Sequence, residues 1–593
     1  MDTIEQFNRL FRLRLEQWPL LRCCSDDYFG RQATDALLQA RGSFRAKART
    51  IIQLAFENHY ASLGGLAPVT RQLTRQLEKM GERVISITPL HTKLPAVKKA
   101  IKAGSFEQCV AASTFRCGAY EDVFTCYRDT TAETLHYFLS IPGRFLAVES
   151  PYDYDNPDDL LLDALAFAAA VPAAMHKLGL TGDLLFHAHE WETALVAVTS
   201  RAALCSGLLR TGRTVLTLHN SFDCPLHAKT RRYYFGEGLK GETVLQCSIP
   251  FLSGPLMTVS TPFARELRLD PLQRSILADH LQAVFSMNPP VGIENGIFHN
   301  LASPFSAPAL RRSAAGKYEV LLRQKLAYRH RLLSLLERDR GVDSIGKLKL
   351  TGESDGIPLF FMAGRLDLSQ KGFDVMFKAF ERLGRGRAKL LFCPSRASKS
   401  FAEDLYFFEA IANRCRGDIE IRPAKIPRRI FDLMLRGSSF LLMPSLYEPF
   451  GAANEALVTG TPVVARGTGG LWIQVDSVFP VRVPRFYGRM PLGGRNVLPT
   501  GVLFREEYPD DKAEKEWRSL LKLPPAGRLK KALFASLVDA AHASLENAIT
   551  LYSQPGDYAR LILNGLAAAK KFSWERAAEN YREVYEVAVK RGI

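Results

Sequence analysis

The chain has 593 residues, of which 47% are hydrophobic, and its formal net charge is +17. This length exceeds one ordinary domain and predicts two large domains with extensions, in a composition typical of soluble globular proteins. Because no zinc-finger, helix-turn-helix or aromatic-rich RNA motif accompanies the positive charge, we expect no nucleic-acid partner. An anionic surface and a phosphate-bearing small ligand stay open as explanations of the charge.

The N-terminal segment and the cysteines indicate a cytoplasmic protein. Residues 1–20 mix acidic, basic and apolar side chains and lack the continuous apolar core of a secretory signal. The most apolar stretch, residues 160–175, contains Asp163 and Pro172 and is shorter than the about 20 residues that a bilayer requires, so we expect no membrane partner. The ten cysteines include no CxxC pair, which favours reduced thiols and argues against a zinc site.

A basic, helical extension is predicted for residues 1–50, and strands alternate with helices from Ile51 onward. The first set of strands is predicted at Val84–Thr88, Leu184–His187, Val215–His219 and Leu256–Ser260. The second set is predicted at Leu359–Met362, Leu390–Cys393, Ile419–Ile421, Phe440–Met443 and Pro462–Ala465. This alternation predicts an α/β fold with parallel sheets covered by helices. The basic stretch at residues 311–340 predicts an amphipathic helix with a solvated basic face, although a binding patch stays open.

Three motifs in the first set place polar groups where open α/β sheets bind ligands. Gly64 and Gly65 precede a helix whose free amides suit a phosphate, although a plain turn explains them equally well. The stretch His187–Glu190 (His-Ala-His-Glu) ends a strand, and its spacing favours a polar loop lining a cleft over a metal site, while a capping and packing role for Glu190 stays open. His219 follows the next strand, where a role in the cleft and a packing role both stay open.

In the second set, cations and a carboxylate occur at predicted strand ends. Arg365 and Lys371 lie between a strand and a helix, where a bidentate guanidinium and an ammonium suit a diphosphate. Surface salt bridges are the alternative for these two cations. Glu448 follows the strand Phe440–Met443, which is a position that suits sugar hydroxyls.

A glycine-rich turn follows the next predicted strand. Thr468, Gly469 and Gly470 open this turn, and its amides are able to face an anion. Glu455 lies seven residues after Glu448, near the start of a helix. A hydrogen bond from Glu455 to a ribose hydroxyl and a favourable interaction with the helix dipole both stay open.

Together these motifs resemble the glycogen/starch synthase family of retaining glycosyltransferases, which have the GT-B fold. The resemblance runs in chain order from about Ala61 to the C-terminus and rests on these segments: residues 64–66, 187–191, 217–220, 258–266, 292–297, 364–372, 444–451, 468–471 and 572–585. It implies two Rossmann-like domains whose parallel sheets face each other across a cleft. Residues 51–300 would form the acceptor side, residues 301–560 the nucleotide-sugar side, and residues 561–593 a helix that crosses back to the N-terminal domain.

The resemblance implies a hexosyltransferase that moves glucose from a nucleotide-glucose, with ADP-glucose favoured, to the non-reducing end of an α-1,4-glucan with retention. No metal and no cofactor are expected. The implied catalytic residues are Arg365 and Lys371 at the diphosphate, and Glu448 and His219 at the donor sugar. The implied binding residues are Gly64, Gly65, Glu455, Thr468, Gly469 and Gly470 for the donor, and His189 and Glu190 for the acceptor.

Departures from the family pattern keep other functions open. Ser62 stands where the family has a lysine. Glu448 and Glu455 are one residue closer together than in the family, and Arg365 and Lys371 are one residue further apart. A GT-B transferase with another sugar or acceptor, and a catalytically weak glucan-binding or regulatory protein, are therefore the alternatives. The sequence leaves the oligomeric state unknown.

Overall fold

The computed structural model describes residues 49–299, 302–338, 344–349, 355–396, 401–423, 426–488, 490, 492 and 498–590. These residues form two compact units. The first unit runs to Val259 and also includes Ala278–Phe298 and the chain from Trp574 onward. The second unit comprises Ser260–Leu277 and His299–Ser573. The predicted N-terminal extension lies almost wholly outside the described residues.

Helices account for much of both units. Within the described residues the α-helices are α1 (Leu66–Lys79), α2 (Pro95–Lys102), α3 (Pro157–Lys177), α4 (Trp191–Ala194), α5 (Val196–Cys205), α6 (Ala228–Phe235), α7 (Val244–Ser248), α8 (Thr261–Leu269), α9 (Gln282–Met287), α10 (Ala307–Ala314), α11 (Glu319–Arg338), α12 (Phe373–Glu381), α13 (Phe401–Arg414), α14 (Arg428–Gly437), α15 (Ala453–Val458), α16 (Leu471–Gln474), α17 (Asp510–Leu520), α18 (Pro525–Arg528), α19 (Ala532–Tyr552), α20 (Pro555–Ala568) and α21 (Trp574–Lys590).

A nine-stranded sheet forms the centre of the first unit. Its strands are β1 (Thr50–Leu54), β2 (Arg83–Pro89), β3 (Phe106–Cys117), β4 (Tyr120–Asp129), β5 (His136–Ser140), β6 (Leu184–His189), β7 (Arg213–Leu218), β8 (Met257–Thr258) and β9 (Val291–Gly292). Their order is β3-β4-β5-β2-β1-β6-β7-β8-β9. All neighbours from β5 to β9 pair in parallel, as predicted, whereas β3–β4 and β4–β5 are antiparallel.

The antiparallel edge of this sheet corrects the prediction of a wholly parallel sheet. Strands β3 and β4 are joined by only two residues, Gly118 and Ala119, and such a short connection allows only antiparallel pairing. Gly118 has a φ of +61°, and a Cβ there would lie 2.5 Å from the Tyr234 carbonyl oxygen, so the turn requires glycine.

The apolar core of the first unit lies between its sheet and the helices α1 and α21. Leu73 of α1 and Val215 of β7 are fully buried there, together with Tyr581 and Tyr585 of α21. Each aliphatic side chain buried in this way stabilises the fold by about 1.5–3 kcal/mol. The C-terminal helix is therefore part of the first unit, and this part begins at Trp574 rather than at residue 561.

Helix α3 contains the most apolar stretch of the chain. By length and composition alone, Asp158–Lys177 is sufficient to cross a membrane, so the prediction that this stretch is too short is wrong. In the folded protein, 72% of the most apolar part of this helix is buried. Helix α3 packs against α4, α5 and β3. This packing is that of a core helix of a soluble fold.

A seven-stranded sheet forms the centre of the second unit. Its strands are β10 (Ile345–Gly346), β11 (Leu359–Arg365), β12 (Lys389–Ser395), β13 (Ile419–Ile421), β14 (Phe440–Met443), β15 (Val463–Arg466) and β16 (Gly501–Phe504). Their order is β10-β13-β12-β11-β14-β15-β16, and all neighbours except β10 and β13 pair in parallel. The strands predicted in this half all occur, and each end lies within three residues of its predicted position.

The basic stretch at residues 311–340 forms two helices, α10 and α11, rather than one helix with a solvated face. Lys325 and Arg329 of α11 are buried. Lys325 Nζ donates to Thr461 Oγ1 at 2.7 Å, and Arg329 Nη1 donates to Tyr552 Oη at 2.9 Å. Burial lowers the pKa of Lys325 well below its usual value. Part of the positive charge in this stretch therefore packs inside the second unit.

Helix α8 belongs to the second unit, although the sequence analysis assigned residues 260–277 to the first domain. Ser260 caps the helix, because its Oγ accepts from Phe263 N at 3.3 Å. The same hydroxyl donates to the Pro449 carbonyl oxygen at 2.5 Å. This contact holds α8, and with it Glu266, against the loop that carries Glu448.

Candidate functional site

Lys371 and Glu448 meet in the second unit, although 77 residues separate them in the chain. Lys371 Nζ lies 2.7 Å from Glu448 Oε2, and the two side chains are only 19% and 9% exposed. Ser445 Oγ donates to the same carboxylate oxygen at 2.8 Å. The two residues follow β11 and β14, which are neighbouring parallel strands whose carboxyl ends share one edge of the sheet.

The backbone locks the two loops together at this point. Gly372 begins α12 with a φ of +58°, and a Cβ there would lie 2.3 Å from the Pro444 carbonyl oxygen. Leu446 N donates to the Gln370 carbonyl oxygen at 2.7 Å. No other residue type fits at Gly372 without moving the chain, so the ammonium of Lys371 is held beside the carboxylate.

Arg365 ends β11 close to this ion pair. Its Nη2 donates to Gln370 Oε1 at 3.3 Å, and Gln370 immediately precedes Lys371. Burial raises the pKa of Tyr447, and the charges of both Arg365 and Glu448 act on the same phenol. The structure thus groups all three predicted residues around the loop that follows β14.

The glycine-rich turn after β15 uses its donors on the protein's own carboxylate. Gly469 N donates to Glu266 Oε1 at 2.7 Å and Thr468 Oγ1 donates to it at 2.9 Å, with a third bond from the Tyr487 hydroxyl. Gly470 N donates to the Glu448 carbonyl oxygen at 3.0 Å. The amides predicted to face an anion therefore face Glu266 and the Glu448 loop in this conformation.

Glu266 is fully buried in this arrangement. Burial and the nearby charge of Asp270 raise the pKa of its carboxyl to about 7, against the hydrogen bonds that it accepts. In the sequence, Glu266 is marked only as part of the resembling segment at residues 258–266, and Tyr487 carries no signal.

A buried ion network lies behind the Glu448 loop, and the sequence did not predict it. Arg466 ends β15 and makes two hydrogen bonds to Glu506, one of them 2.8 Å long from Nε to Oε2. Arg466 Nη1 also donates to the Leu446 carbonyl oxygen at 2.5 Å. Burial raises the pKa of Glu506, but the charges of Arg466 and Arg505 lower it to about 2, so this carboxylate stays ionised.

Glu455 is held by side chains of the second unit. The carboxylate is 3% exposed, and its Oε1 lies 2.5 Å from His299 Nδ1. Arg428 Nη1 lies 3.7 Å from the other oxygen. Glu455 also lies in the first turn of α15, where a carboxylate is favoured by the helix dipole. A ribose contact by Glu455 stays a prediction.

In the first unit, His219 and His189 form a hydrogen-bonded pair of rings. His189 Nδ1 lies 3.0 Å from His219 Nε2, and His189 Nε2 lies 2.7 Å from Gln53 Oε1. Because an amide oxygen only accepts, His189 donates from Nε2 and accepts at Nδ1, and His219 donates from Nε2. Burial lowers the pKa of both rings, so both are neutral. His219 Nδ1 is then left as a hydrogen-bond acceptor.

The C-terminal helix extends this network. His187 Nδ1 lies 2.8 Å from Tyr585 Oη, and Gln53 Nε2 donates to the same hydroxyl at 3.4 Å. His187 Nε2 lies 2.8 Å from Thr217 Oγ1. Tyr585 was quoted from the sequence as part of the terminal helix, but nothing in the sequence indicated its contact with a histidine.

Glu190 has a strained backbone and a buried carboxylate. Its φ is +67° and its ψ is 171°, a region that is almost restricted to glycine and costs about 1–3 kcal/mol. Its Oε1 accepts from His219 N at 2.7 Å and from Asn220 Nδ2 at 3.1 Å. Strain of this kind is typical of functional sites. His189 and Glu190 are both buried, so in this conformation they orient His219 rather than face solvent.

The loop with Gly64 and Gly65 also surrounds a buried carboxylate. Glu57 Oε2 accepts from Leu63 N at 3.3 Å, from Gly64 N at 3.4 Å and from Ala67 N at 3.4 Å. Burial raises the pKa of Glu57. Ser62, which replaces the expected lysine, lies with its Oγ 3.4 Å from the same oxygen.

Both halves of the chain are similar to known proteins. Residues 50–240 match the family model described as starch synthase catalytic domain, and residues 322–522 match a model described as family 4 glycosyltransferase in conflict systems. Glycogen synthase 1 of Geobacter metallireducens is 26% identical over 570 residues, which cover 90% of this chain and 95% of the relative. The glycogen synthase of Syntrophotalea carbinolica is also 26% identical, over 89% of this chain and 96% of the relative.

A solved structure shows the fold. The catalytic domain of starch synthase IV from Arabidopsis thaliana has a TM-score of 0.67 and 18% identity, and the match covers 92% of this chain and 100% of that chain. The two mostly parallel α/β units and this match show the GT-B fold. The starch synthase model over residues 50–240 and the similarity to glycogen synthases along most of the chain support the resemblance to the glycogen and starch synthase family, and the protein is a hexosyltransferase.

Proposed function

We propose that the protein transfers glucose from ADP-glucose to the non-reducing end of an α-1,4-glucan with retention of configuration. The observation that carries this proposal is the 2.7 Å contact between Lys371 Nζ and Glu448 Oε2 at the end of two neighbouring parallel strands. A cation for a diphosphate and a carboxylate for sugar hydroxyls thus lie side by side. The relatives are named glycogen synthases, and the Arabidopsis structure is described as bound to ADP and acarbose, which favours ADP-glucose as the donor.

The second unit binds the donor in this proposal. Lys371 turns from Glu448 to the diphosphate, Arg365 binds the same group with its planar fork, and both cations stabilise the charge that develops as the diphosphate leaves. The freed Glu448 then accepts hydrogen bonds from hydroxyls of the donor sugar. Lys371 and Glu448 therefore give up their contact with each other, and each binds one end of the donor: Lys371 the diphosphate and Glu448 the sugar.

The turn at Thr468–Gly470 differs from the ion pair, because its hydrogen-bond donors are occupied within the protein. Its donors already bond to Glu266 and to the Glu448 loop. Direct binding of the diphosphate by Thr468, Gly469 and Gly470 requires these bonds to exchange. If these bonds do not exchange, the turn holds the Glu448 loop in place and does not contact the diphosphate.

In the first unit, His219 is the group proposed to contact the donor sugar. Its Nδ1 accepts a hydrogen bond from a sugar hydroxyl, while His189 and Glu190 hold the ring and its backbone. The acceptor glucan is assigned to this unit. We infer attack on the same face as the leaving group, through an oxocarbenium-like state, with the departing phosphate assisting the incoming hydroxyl.

The test is to incubate the purified full-length protein with glycogen and either ADP-glucose or UDP-glucose, with and without a chelator. The proposal predicts release of ADP that the chelator does not reduce, and slower release of UDP. Equal rates with both donors would remove the preference for ADP-glucose. No nucleoside diphosphate from either donor would contradict the proposed reaction.

A second candidate is a catalytically weak glucan-binding protein. The observation in its favour is that both glycine-rich loops hold internal carboxylates, and Ser62 supplies no cation at the first of them. Co-sedimentation with glycogen distinguishes the two candidates when it is measured beside turnover. Glycogen binding without turnover would support this second candidate.

We also propose a cytoplasmic location, with no nucleic-acid or membrane partner. All eight cysteines that the structure describes are free thiols, and Cys23 and Cys24 lie outside the described residues. Free thiols are typical of a reducing compartment. The burial of α3 within the first unit also supports the absence of a membrane partner.

A further inference from the structure

Three metal-ligating side chains meet in the first unit, and none of them is among the residues assigned to glucose transfer. His59 lies in the loop after β1, Asp129 is the last residue of β4, and His136 is the first residue of β5. One ligand atom from each residue lies within 4.8 Å of the other two. The sequence analysis did not single out any of the three, because 70 residues separate His59 from Asp129 in the chain and no local spacing marks them.

Asp129 presents a buried carboxylate oxygen to this cluster. Its Oδ1 accepts from Thr131 N at 2.8 Å and from Thr131 Oγ1 at 2.7 Å. Its Oδ2 is buried, lies 3.1 Å from His59 Nε2, and has no well-directed hydrogen bond among the described residues. A buried carboxylate oxygen without such a bond is destabilising unless a cation compensates for it.

A hydrogen bond to Thr88 fixes the ring of His136. Its Nε2 lies 2.9 Å from Thr88 Oγ1, and the residue is 8% exposed. When Nε2 donates to Thr88, the lone pair of Nδ1 is available, and such an outer hydrogen bond is what orients histidines that bind metals.

A cavity adjoins the cluster. Its volume is about 260 Å³, and its lining includes His59, His136, Thr131, Arg71 and Arg75. Two histidines and one carboxylate are a ligand set that zinc uses when a fourth coordination position stays open. Magnesium and calcium prefer oxygen ligands alone and fit this set poorly.

We propose that His59, Asp129 and His136 bind one divalent transition-metal ion, preferentially zinc, with the fourth coordination position open to the adjoining cavity. The ion fixes the loop after β1 to the ends of β4 and β5. That loop also carries Glu57 and leads into Gly64, so the metal stiffens the glycine-rich loop of the first unit. Its three ligands have no assigned part in glucose transfer, for which we expect no metal.

The test measures zinc binding by the full-length, tag-free protein after treatment with a chelator, by equilibrium dialysis against zinc alone. We expect about one zinc ion per chain, and cobalt to give the visible absorption of a four-coordinate site. His136→Gln and His59→Gln should each weaken zinc binding at least about 100-fold. Of the two substitutions, His59→Gln should disturb the fold less, because the His59 side chain is 29% exposed.

His280→Gln is the matched control. His280 Nε2 lies 3.1 Å from Asp223 Oδ2, with side-chain exposures close to those of His59 and Asp129, and within the described residues no third ligand completes that pair. This variant should bind zinc like the wild type. Zinc should also raise the melting temperature of the wild type and of His280→Gln, but not of His136→Gln.

Two outcomes would overturn the proposal: no saturable zinc binding, or binding that His59→Gln and His136→Gln leave unchanged. Magnesium that displaces zinc at equal concentration would overturn the preference for a transition metal. The experiment measures zinc binding and not turnover. Absence of zinc binding would therefore leave the glucose-transfer proposal unchanged, and absence of turnover would leave the zinc-site proposal unchanged.

Discussion

The two glycine-rich loops of the molecule, at residues 64–65 in the first unit and 468–470 in the second, look alike in the sequence. Each donates backbone hydrogen bonds to one buried carboxylate, Glu57 in the first unit and Glu266 in the second. They differ in what surrounds the glycines. A Cβ at Gly64 would come no closer than 3.9 Å to its nearest neighbour, whereas a Cβ at Gly469 would lie 1.9 Å from the Glu448 carbonyl oxygen.

The two loops also differ in the charge beside them. The second loop bonds to the Glu448 segment, whose carboxylate pairs with Lys371. The first loop has Ser62 where a lysine was expected, and Ser62 contacts Glu57. A Gly-Gly pair is therefore weak evidence for phosphate binding by itself. Close backbone approach together with a neighbouring cation is the reason why we propose the second unit as the donor side.

The largest expected effect comes from removing the cation of the second unit. Lys371→Ala should lower kcat/KM for ADP-glucose by about 100- to 1000-fold, because it removes charge stabilisation of the leaving diphosphate. Lys378→Ala is the matched control, since Lys378 is a similarly exposed lysine paired with Glu381 on α12. Steady-state kinetics on both variants is the measurement, and equal losses in the two would contradict the assignment.

Alanine substitutions compare the two loops sterically. Gly469→Ala should destabilise the protein by at least about 2 kcal/mol, because its φ is +44° and the new Cβ would overlap the Glu448 carbonyl oxygen. Gly64→Ala should cost less than about 1 kcal/mol, since no atom is close. Urea denaturation midpoints measure both effects. Similar midpoints for the two variants would show that the loops do not differ as described.

The carboxyl of Glu266 should make stability depend on pH. Burial raises its pKa from the usual 4.5 to about 7, so between these pH values the folded protein binds more protons than the unfolded chain. Its contribution to stability is therefore present below about pH 4.5 and is lost as the pH rises to about 7.

Glu266→Gln should remove this contribution, because an amide preserves the shape and the acceptor oxygen but does not ionise. Relative to the wild type, the variant should gain about 2 kcal/mol of stability between pH 5 and pH 8. Thermal or urea unfolding across that range is the measurement. Glu57→Gln provides the comparison in the first unit. If stability depends on pH in the same way in the wild type and in Glu266→Gln, then Glu266 does not cause the pH dependence.

The smallest effect is expected for Ser62→Lys, which restores the lysine of the family pattern. The new ammonium should pair with Glu57, whose Oε2 lies 3.4 Å from Ser62 Oγ, and lower the pKa of that carboxyl. The value of kcat/KM for ADP-glucose should then stay within about twofold of the wild type, because the cation serves Glu57 rather than a phosphate. An increase above about tenfold would mean that the first loop binds the donor after all.

The part of the site that the sequence predicted follows from sheet topology. Lys371 and Glu448 follow strands predicted from short buried apolar runs, and the carboxyl ends of parallel strands share one edge, so their meeting was foreseeable. The antiparallel hairpin of β3 and β4 was missed because its strands lack the apolar runs of the buried strands, and most of their residues are exposed or half-buried.

The parts that sequence did not predict are pairings between distant residues. Tyr487 and Glu266, or Tyr585 and His187, carry no local pattern that ties one to the other. Burial of Lys325 was missed for the same reason, since its partner Thr461 lies 136 residues away. Such contacts depend on how helices and loops pack over the sheets, which periodicity does not specify.

The central claim is that the Lys371–Glu448 pair marks where the donor diphosphate binds, and titration calorimetry of ADP tests it most directly. ADP should bind to the wild type and to Lys378→Ala with the same Kd, and at least about tenfold more weakly to Lys371→Ala. Equal ADP affinity in all three proteins would show that the diphosphate binds elsewhere.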